Sequence, residues 1–244
     1  MRRRLHSLLL ALGVACAGAL LVGSSPSGAD PVVVPDIDGG LATCTQLSPH
    51  AVAVTSVPVR LDVRVLLDGV TRDHAEQGVA SMRRAYRPLG IAVAASYDVV
   101  DLTGVDVQRL IEQSKAVYGG KRPAGVDVVY TMTSKDITST GPTGGQLIGQ
   151  ADCIGGVRRA RTAFAVGEIG RVTIPTTSEG TGKVMAHEIG HLLGGHHHYA
   201  SAEGLLASDP AVMSLMGPAI DLDALRFSSL NGLMVRGHAQ RYAG

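Results

Sequence analysis

The segment His187-Glu-Ile-Gly-His191-Leu-Leu-Gly194-Gly-His-His197 constrains this chain more than any other part of it. Residues four apart on an α-helix differ by only ~40° around the axis. His187 and His191 therefore project from one face, a turn apart, and can hold one ion. Glu188 lies beside that ion without needing to bind it, where it can take a proton from water. Gly194 follows the second histidine by three residues and can adopt the left-handed conformation that ends a helix and turns the chain. The turn can bring His197 back to the ion from another direction. Three neutral imidazoles leave the fourth tetrahedral position open, so the cofactor expected is one catalytic zinc ion.

The first residues are read as a secretory signal. Arg2, Arg3 and Arg4 form a basic start, Leu8 to Val22 is apolar, and Ser27-Gly28-Ala29 supplies small residues for cleavage after Ala29. The apolar run is shorter than the ~20 residues that span a bilayer, so residues 1–29 are taken as a cleaved signal peptide and the mature protein as extracellular, with no membrane attachment. Without the three arginines the formal charge of +1 becomes slightly negative, and the absence of a basic patch speaks against nucleic acid. Cys44 and Cys153 are the two cysteines left after processing. An oxidising compartment favours their pairing in one disulfide. The competing reading makes Cys44 a thiolate switch over the open metal position.

Residues 30–57 are rich in Pro, Gly and Val, without periodicity, and read as an extended segment. Regular patterning then begins, so residues 58–244 are assigned to one catalytic domain. Arg60–Leu67 alternates polar and apolar, as a strand with one buried face does. Thr71–Leu89 has helical spacing at Ala75, Val79, Met82 and Tyr86, with Thr71 at its start and Pro88-Leu89-Gly90 as a stop. Ile91–Val100 is a second strand, Val107–Tyr118 a second helix and Val126–Thr133 a third strand. This β-α-β-α-β order predicts an α/β fold with helices packed on a mostly parallel sheet. A short strand near Leu147–Cys153 and another in Arg161–Ile169 follow. A helix is expected around Thr177–Leu193, with Thr176 and Glu179 at capping-box spacing. The last helix, about Ser229–Tyr242, takes Ser228 as its cap. His50, His74 and His238 are read as surface or hydrogen-bonded residues, and Glu168 and Glu179 as ordinary polar positions.

At His187 to His197 the sequence resembles the metzincin zinc peptidases, most closely the adamalysin or reprolysin type. That resemblance implies a twisted mixed sheet with two long helices in an upper subdomain (about 58–194), which ends with the active-site helix at Gly194, and a small irregular lower subdomain (about 195–244). It implies His187, His191 and His197 as metal ligands, with the spacing selecting His197 over His196 and His198, and Glu188 as general base. It also implies a methionine turn beneath the metal in Val212–Pro218, with Met216 as first choice and Met213 as alternative. The sequence departs from the adamalysin pattern at His198, where that type usually has Asp, and has no cysteine after Cys153. By the same resemblance, a polypeptide substrate would lie extended along an edge strand near Leu147–Ile154, cleaved by a monomeric endopeptidase. Two other readings stand beside this one. The first is a zinc hydrolase of a non-peptide amide or cell-wall peptide. The second is an inactive zinc-binding interaction module, against which Glu188 argues because metal binding alone does not require it.

Overall fold

A computed structural model describes residues 40–48, 52–141, 147–169, 178–197, 215–216 and 226–244. The signal-peptide assignment, His50, Thr176, His198 and Met213 fall outside the described residues.

Strand β1 (Val59–Asp68) runs through the sheet interior. Its odd-numbered residues Leu61, Val63, Val65 and Leu67 belong to one apolar cluster, and Leu66 belongs to the other. This is the two-sided burial of a strand covered by helices on both faces. Helix α1 (Arg72–Tyr86) is capped by the Thr71 side chain, which accepts from the His74 amide at 3.3 Å. Ala75, Val79, Met82 and Tyr86 form its buried stripe. The stop expected at Pro88-Leu89-Gly90 is present: α1 ends at Tyr86, and Arg87–Leu89 forms a separate 3-10 turn closed by Gly90. Pro88 accounts for the stop, because its ring nitrogen cannot donate to the helical ladder and the ring clashes with the carbonyl four residues back.

Strand β2 (Ile91–Val100), helix α2 (Val107–Val117) and strand β3 (Val128–Thr133) follow. Then come the short strand β4 (Gly149–Ala151), strand β5 (Phe164–Glu168), helix α3 (Ser178–Leu192) and helix α4 (Ser229–Tyr242). The five strands form one sheet in the order β2-β1-β3-β5-β4. The first four are parallel, and β4 alone runs antiparallel, against β5. Parallel neighbours need crossover connections, which α1 and α2 provide. Val128, Tyr130 and Met132 of β3 face the cluster shared with α1 and α3, while Val129 faces the cluster shared with α2. The mostly parallel α/β sheet predicted from element order is therefore present. Among the described residues, no helix is long and apolar enough to cross a membrane.

Cys44 and Cys153 are joined in a disulfide. Around it, residues 42–45 run beside the segment that follows β4. The Cys44 amide donates to the Ile154 carbonyl at 2.8 Å, and the Ile154 amide to the Ala42 carbonyl at 2.9 Å. A cysteine paired in this way is not available as a thiolate ligand. Helix α4 starts as expected, with the Ser228 side chain accepting from the Asn231 amide at 3.2 Å. His238 on α4 is the hydrogen-bonded kind of histidine: it is fully buried and bonds the Met234 carbonyl at 3.0 Å. Glu168 is no ordinary polar position. It is buried at the end of β5 and accepts from the Ile137 amide at 2.7 Å.

Candidate active site

Helix α3 carries His187, Glu188 and His191 into the interior beside β4 and β5, and all three are buried. The chain leaves the helix at Gly194, whose φ of 82° lies in the left-handed region. The Gly194 amide donates to the His191 carbonyl at 2.9 Å and the Gly195 amide to the Gly190 carbonyl at 2.8 Å, closing the helix end. A Cβ at Gly194 would come 2.2 Å from Cε1 of His238. Glycine is thus required there twice over, by the backbone conformation and by the approach of α4.

The turn returns His197 to the two helical histidines. The Nε2 atoms of His187, His191 and His197 lie 3.1 Å from one another, pair by pair. Two of the rings are held from behind. His187 Nδ1 donates to the Leu215 carbonyl at 2.7 Å, and His191 Nδ1 donates to the Gly195 carbonyl at 2.9 Å. A carbonyl only accepts, so the proton of each neutral ring sits on Nδ1 and its Nε2 presents a lone pair. Two such lone pairs cannot hydrogen-bond each other, and their convergence with His197 Nε2 suits a cation. Donors at ~2.0–2.1 Å from a tetrahedral zinc stand ~3.4 Å apart, within a few tenths of an ångström of the observed triangle. The donor set therefore fits a zinc ion, with the second ring nitrogens anchored to backbone as zinc-binding histidines usually are. Burial, then the nearby His197, pushes His187 down to about 4, against the pull of its bond to Leu215. Neutral, metal-competent imidazole is thus the favoured form.

Glu188 points away from this triangle's backing and towards β4. Burial pushes its carboxyl up to about 8, while a hydrogen bond from the Ala151 amide pulls the other way. These directions describe the metal-free chain, since a bound cation lowers the pKa of a nearby carboxyl. The carboxylate sits over the bare Cα of Gly149. A Cβ there would lie 2.9 Å from Glu188 Oε1, 2.9 Å from Val184 Cγ1 and 3.0 Å from the Val166 carbonyl oxygen. Met216 is fully buried, and a Cβ at Gly190 would come 2.7 Å from its sulfur. It therefore packs against the ligand helix, while Met213 lies outside the described residues.

A model of the reprolysin-like M12B metallopeptidases matches residues 70–198, more than half of the chain. The chain belongs to that family. Among solved structures it is similar to archaemetzincin from Methanopyrus kandleri, at 17% sequence identity and a TM-score of 0.55, over 75% of this chain and 97% of that one. At that identity the likeness concerns the fold alone, which is metzincin-like. No curated protein sequence matches significantly. Membership in the family implies a metal, typically zinc, and the histidine triangle fits one.

Sequence reading had placed the three histidines, Glu188, Gly194 and Met216 near one another, and the structure brings them together. It did not single out Gly149, Asn231 or the carbonyls of Gly195 and Leu215. A glycine on a short strand and an asparagine after a helix cap carry no mark of their distant partners.

Proposed function

We propose that this protein is a secreted zinc endopeptidase in which His187, His191 and His197 hold the metal and Glu188 is the general base. The observation that carries the reading is the triangle of His187, His191 and His197 Nε2 atoms, with buried Glu188 next to His187 on helix α3. A bound zinc ion supplies Lewis acidity that polarises a carbonyl and makes water acidic near neutral pH. Glu188 takes the proton of the attacking water and passes it to the leaving amine. Its carboxyl is buried between helix α3 and β4, where it is shielded from bulk water.

Strand β4 supplies the docking edge. Asp152 donates to Phe164 and Glu168 donates to Ile148, so the backbone groups of residues 148, 150 and 152 face β5. Those of Gly149 and Ala151 point to the other side, where β4 has no strand neighbour among the described residues. An extended peptide can pair there with the Gly149 backbone and the Ala151 carbonyl, next to the Glu188 carboxyl that the Ala151 amide already holds. Secretion is supported by the N-terminal pattern of residues 1–29 and by the disulfide, which persists in oxidising compartments.

The test is digestion of casein and a peptide library by the purified mature protein. Expected are one zinc per chain, loss of activity to phenanthroline with recovery on adding zinc, and no turnover in Glu188→Gln, which still binds zinc. Hydrolysis that persists in metal-stripped protein overturns the proposal. Turnover of non-peptide amides without peptide cleavage replaces it with a different hydrolase.

A further inference from the structure

Outside the histidine triangle, the most heavily committed buried side chain near the site is Asn231. It lies at the third position of α4, 35 residues from the loop that carries His197, and is fully buried. Its Oδ1 accepts from the His196 amide at 2.9 Å, and its Nδ2 donates to the His196 carbonyl at 3.1 Å. The carboxamide thus grips both backbone groups of the residue immediately before the third histidine of the triangle. The grip is itself fixed, because the Asn231 amide is held by the Ser228 cap.

The peptide group between Gly195 and His196 connects this clamp to a second histidine. Its N–H goes to Asn231, while its carbonyl, that of Gly195, accepts from His191 Nδ1 at 2.9 Å. A peptide that donates strongly on one side accepts more strongly on the other, so hydrogen bonds in series reinforce one another. The series here runs from Asn231 Oδ1 through the 195–196 peptide to the His191 ring. It favours the Nδ1–H form of His191, which leaves the Nε2 lone pair facing His187 and His197.

We propose that Asn231 is a positioning residue for the metal ligands, holding His191 in its Nδ1–H tautomer through the 195–196 peptide and setting the approach of His197 through the His196 backbone. The proposal rests on the reading of the three histidines as a metal site. It assigns to α4 a role in metal binding that none of its residues performs by direct contact with the triangle. Removing a group that orients a metal-binding histidine from behind changes metal affinity by ~10–100-fold.

Two readouts on the full-length mature protein test it. Zinc affinity is measured by competition with a fluorescent chelator, and the imidazole tautomer by ¹⁵N-edited NMR of the metal-free protein. Asn231→Ala is expected to weaken zinc binding ~10–100-fold and to turn the His191 ring into a mixture of tautomers. Asn231→Asp retains an acceptor for the His196 amide and is expected to keep the Nδ1–H tautomer, with zinc affinity closer to wild type than to Asn231→Ala. A merely structural staple predicts something else: a lower Tm for Asn231→Ala with unchanged zinc affinity and unchanged tautomer, and that result overturns the proposal. Should Asn231→Ala fail to fold, Asn231→Asp decides, since loss of the Nδ1–H form there breaks the series. If the wild type binds no zinc, the metal-site reading fails by itself, while the tautomer measurement still judges the link from Asn231 to His191.

Discussion

Breaking the Cys44–Cys153 disulfide offers the most quantitative test of how this fold is held. The two cysteines are 109 residues apart, and closing a loop of that length removes unfolded-chain entropy worth about 4.8 kcal/mol at 25 °C. The full amount is an upper figure, because removing native disulfides typically costs about 2–5 kcal/mol. At about 2–4 °C per kcal/mol for a chain of this size, the Cys44→Ser/Cys153→Ser variant should melt about 4–20 °C below wild type. The chain has no Trp, so far-UV circular dichroism is the suitable probe, with reductant added to wild type as a second route to the same state. The loss should also reach the metal site. Gly155, two residues after Cys153, donates its amide to the His191 carbonyl at 2.8 Å, so zinc affinity of the folded variant should fall. A Tm within 2 °C of wild type would refute the reasoning, showing that the backbone ladder between residues 42–45 and Ile154 already fixes the segment.

Three further outcomes are expected. In the metal-free protein, folding raises the Glu188 pKa from 4.5 to about 8, so between those values the folded state holds more protons than the unfolded one. Stability should therefore fall as pH rises through that window; urea unfolding at pH 5 and pH 8 should show a smaller fall in Glu188→Gln, and equal falls refute the assignment. Gly149→Ala places a Cβ 2.9 Å from Glu188 Oε1, so kcat should drop by up to about 100-fold with zinc content unchanged, as steady-state kinetics beside metal analysis will reveal. Gly194→Ala forces a side chain to φ 82° and into the His238 ring, so chelator competition should find weaker zinc binding than in Gly180→Ala, where nothing lies within 4 Å of the added Cβ.

Much of this architecture could be read in the chain because its signals are local. Periodicity placed β1, α1, β2 and α2 within a few residues, and the spacing of His187, His191 and Gly194 followed from helix geometry. The end of α1 was legible from Pro88-Leu89-Gly90, although the apolar stripe carried the helical pattern on through Leu89 and hid the separate turn at Arg87–Leu89. The order β2-β1-β3-β5-β4 was legible only as mostly parallel, since which strands meet depends on crossovers that no single window contains. The shell around the site was the least visible. Gly149 matters because of Glu188, and Asn231 because of His196, and each pair is set by tertiary packing between residues far apart in sequence. Glu168 shows the same limit in reverse, as a carboxylate that reads as an ordinary polar position and that the end of β5 buries.

Helix α4 also bears on when the protein becomes active. The grip on His196 comes from a residue that follows it by 35 positions, and the anchor of His187 comes from Leu215, 28 positions later. A chain emerging from synthesis or crossing a membrane N-terminus first therefore exposes its histidines before it owns the groups that aim them. If the three histidines hold the metal as proposed, its capture waits for these long-range contacts and not for helix α3 alone. The order of assembly thus works as a delay: the nascent chain carries the ligands of a peptidase without the geometry to become one.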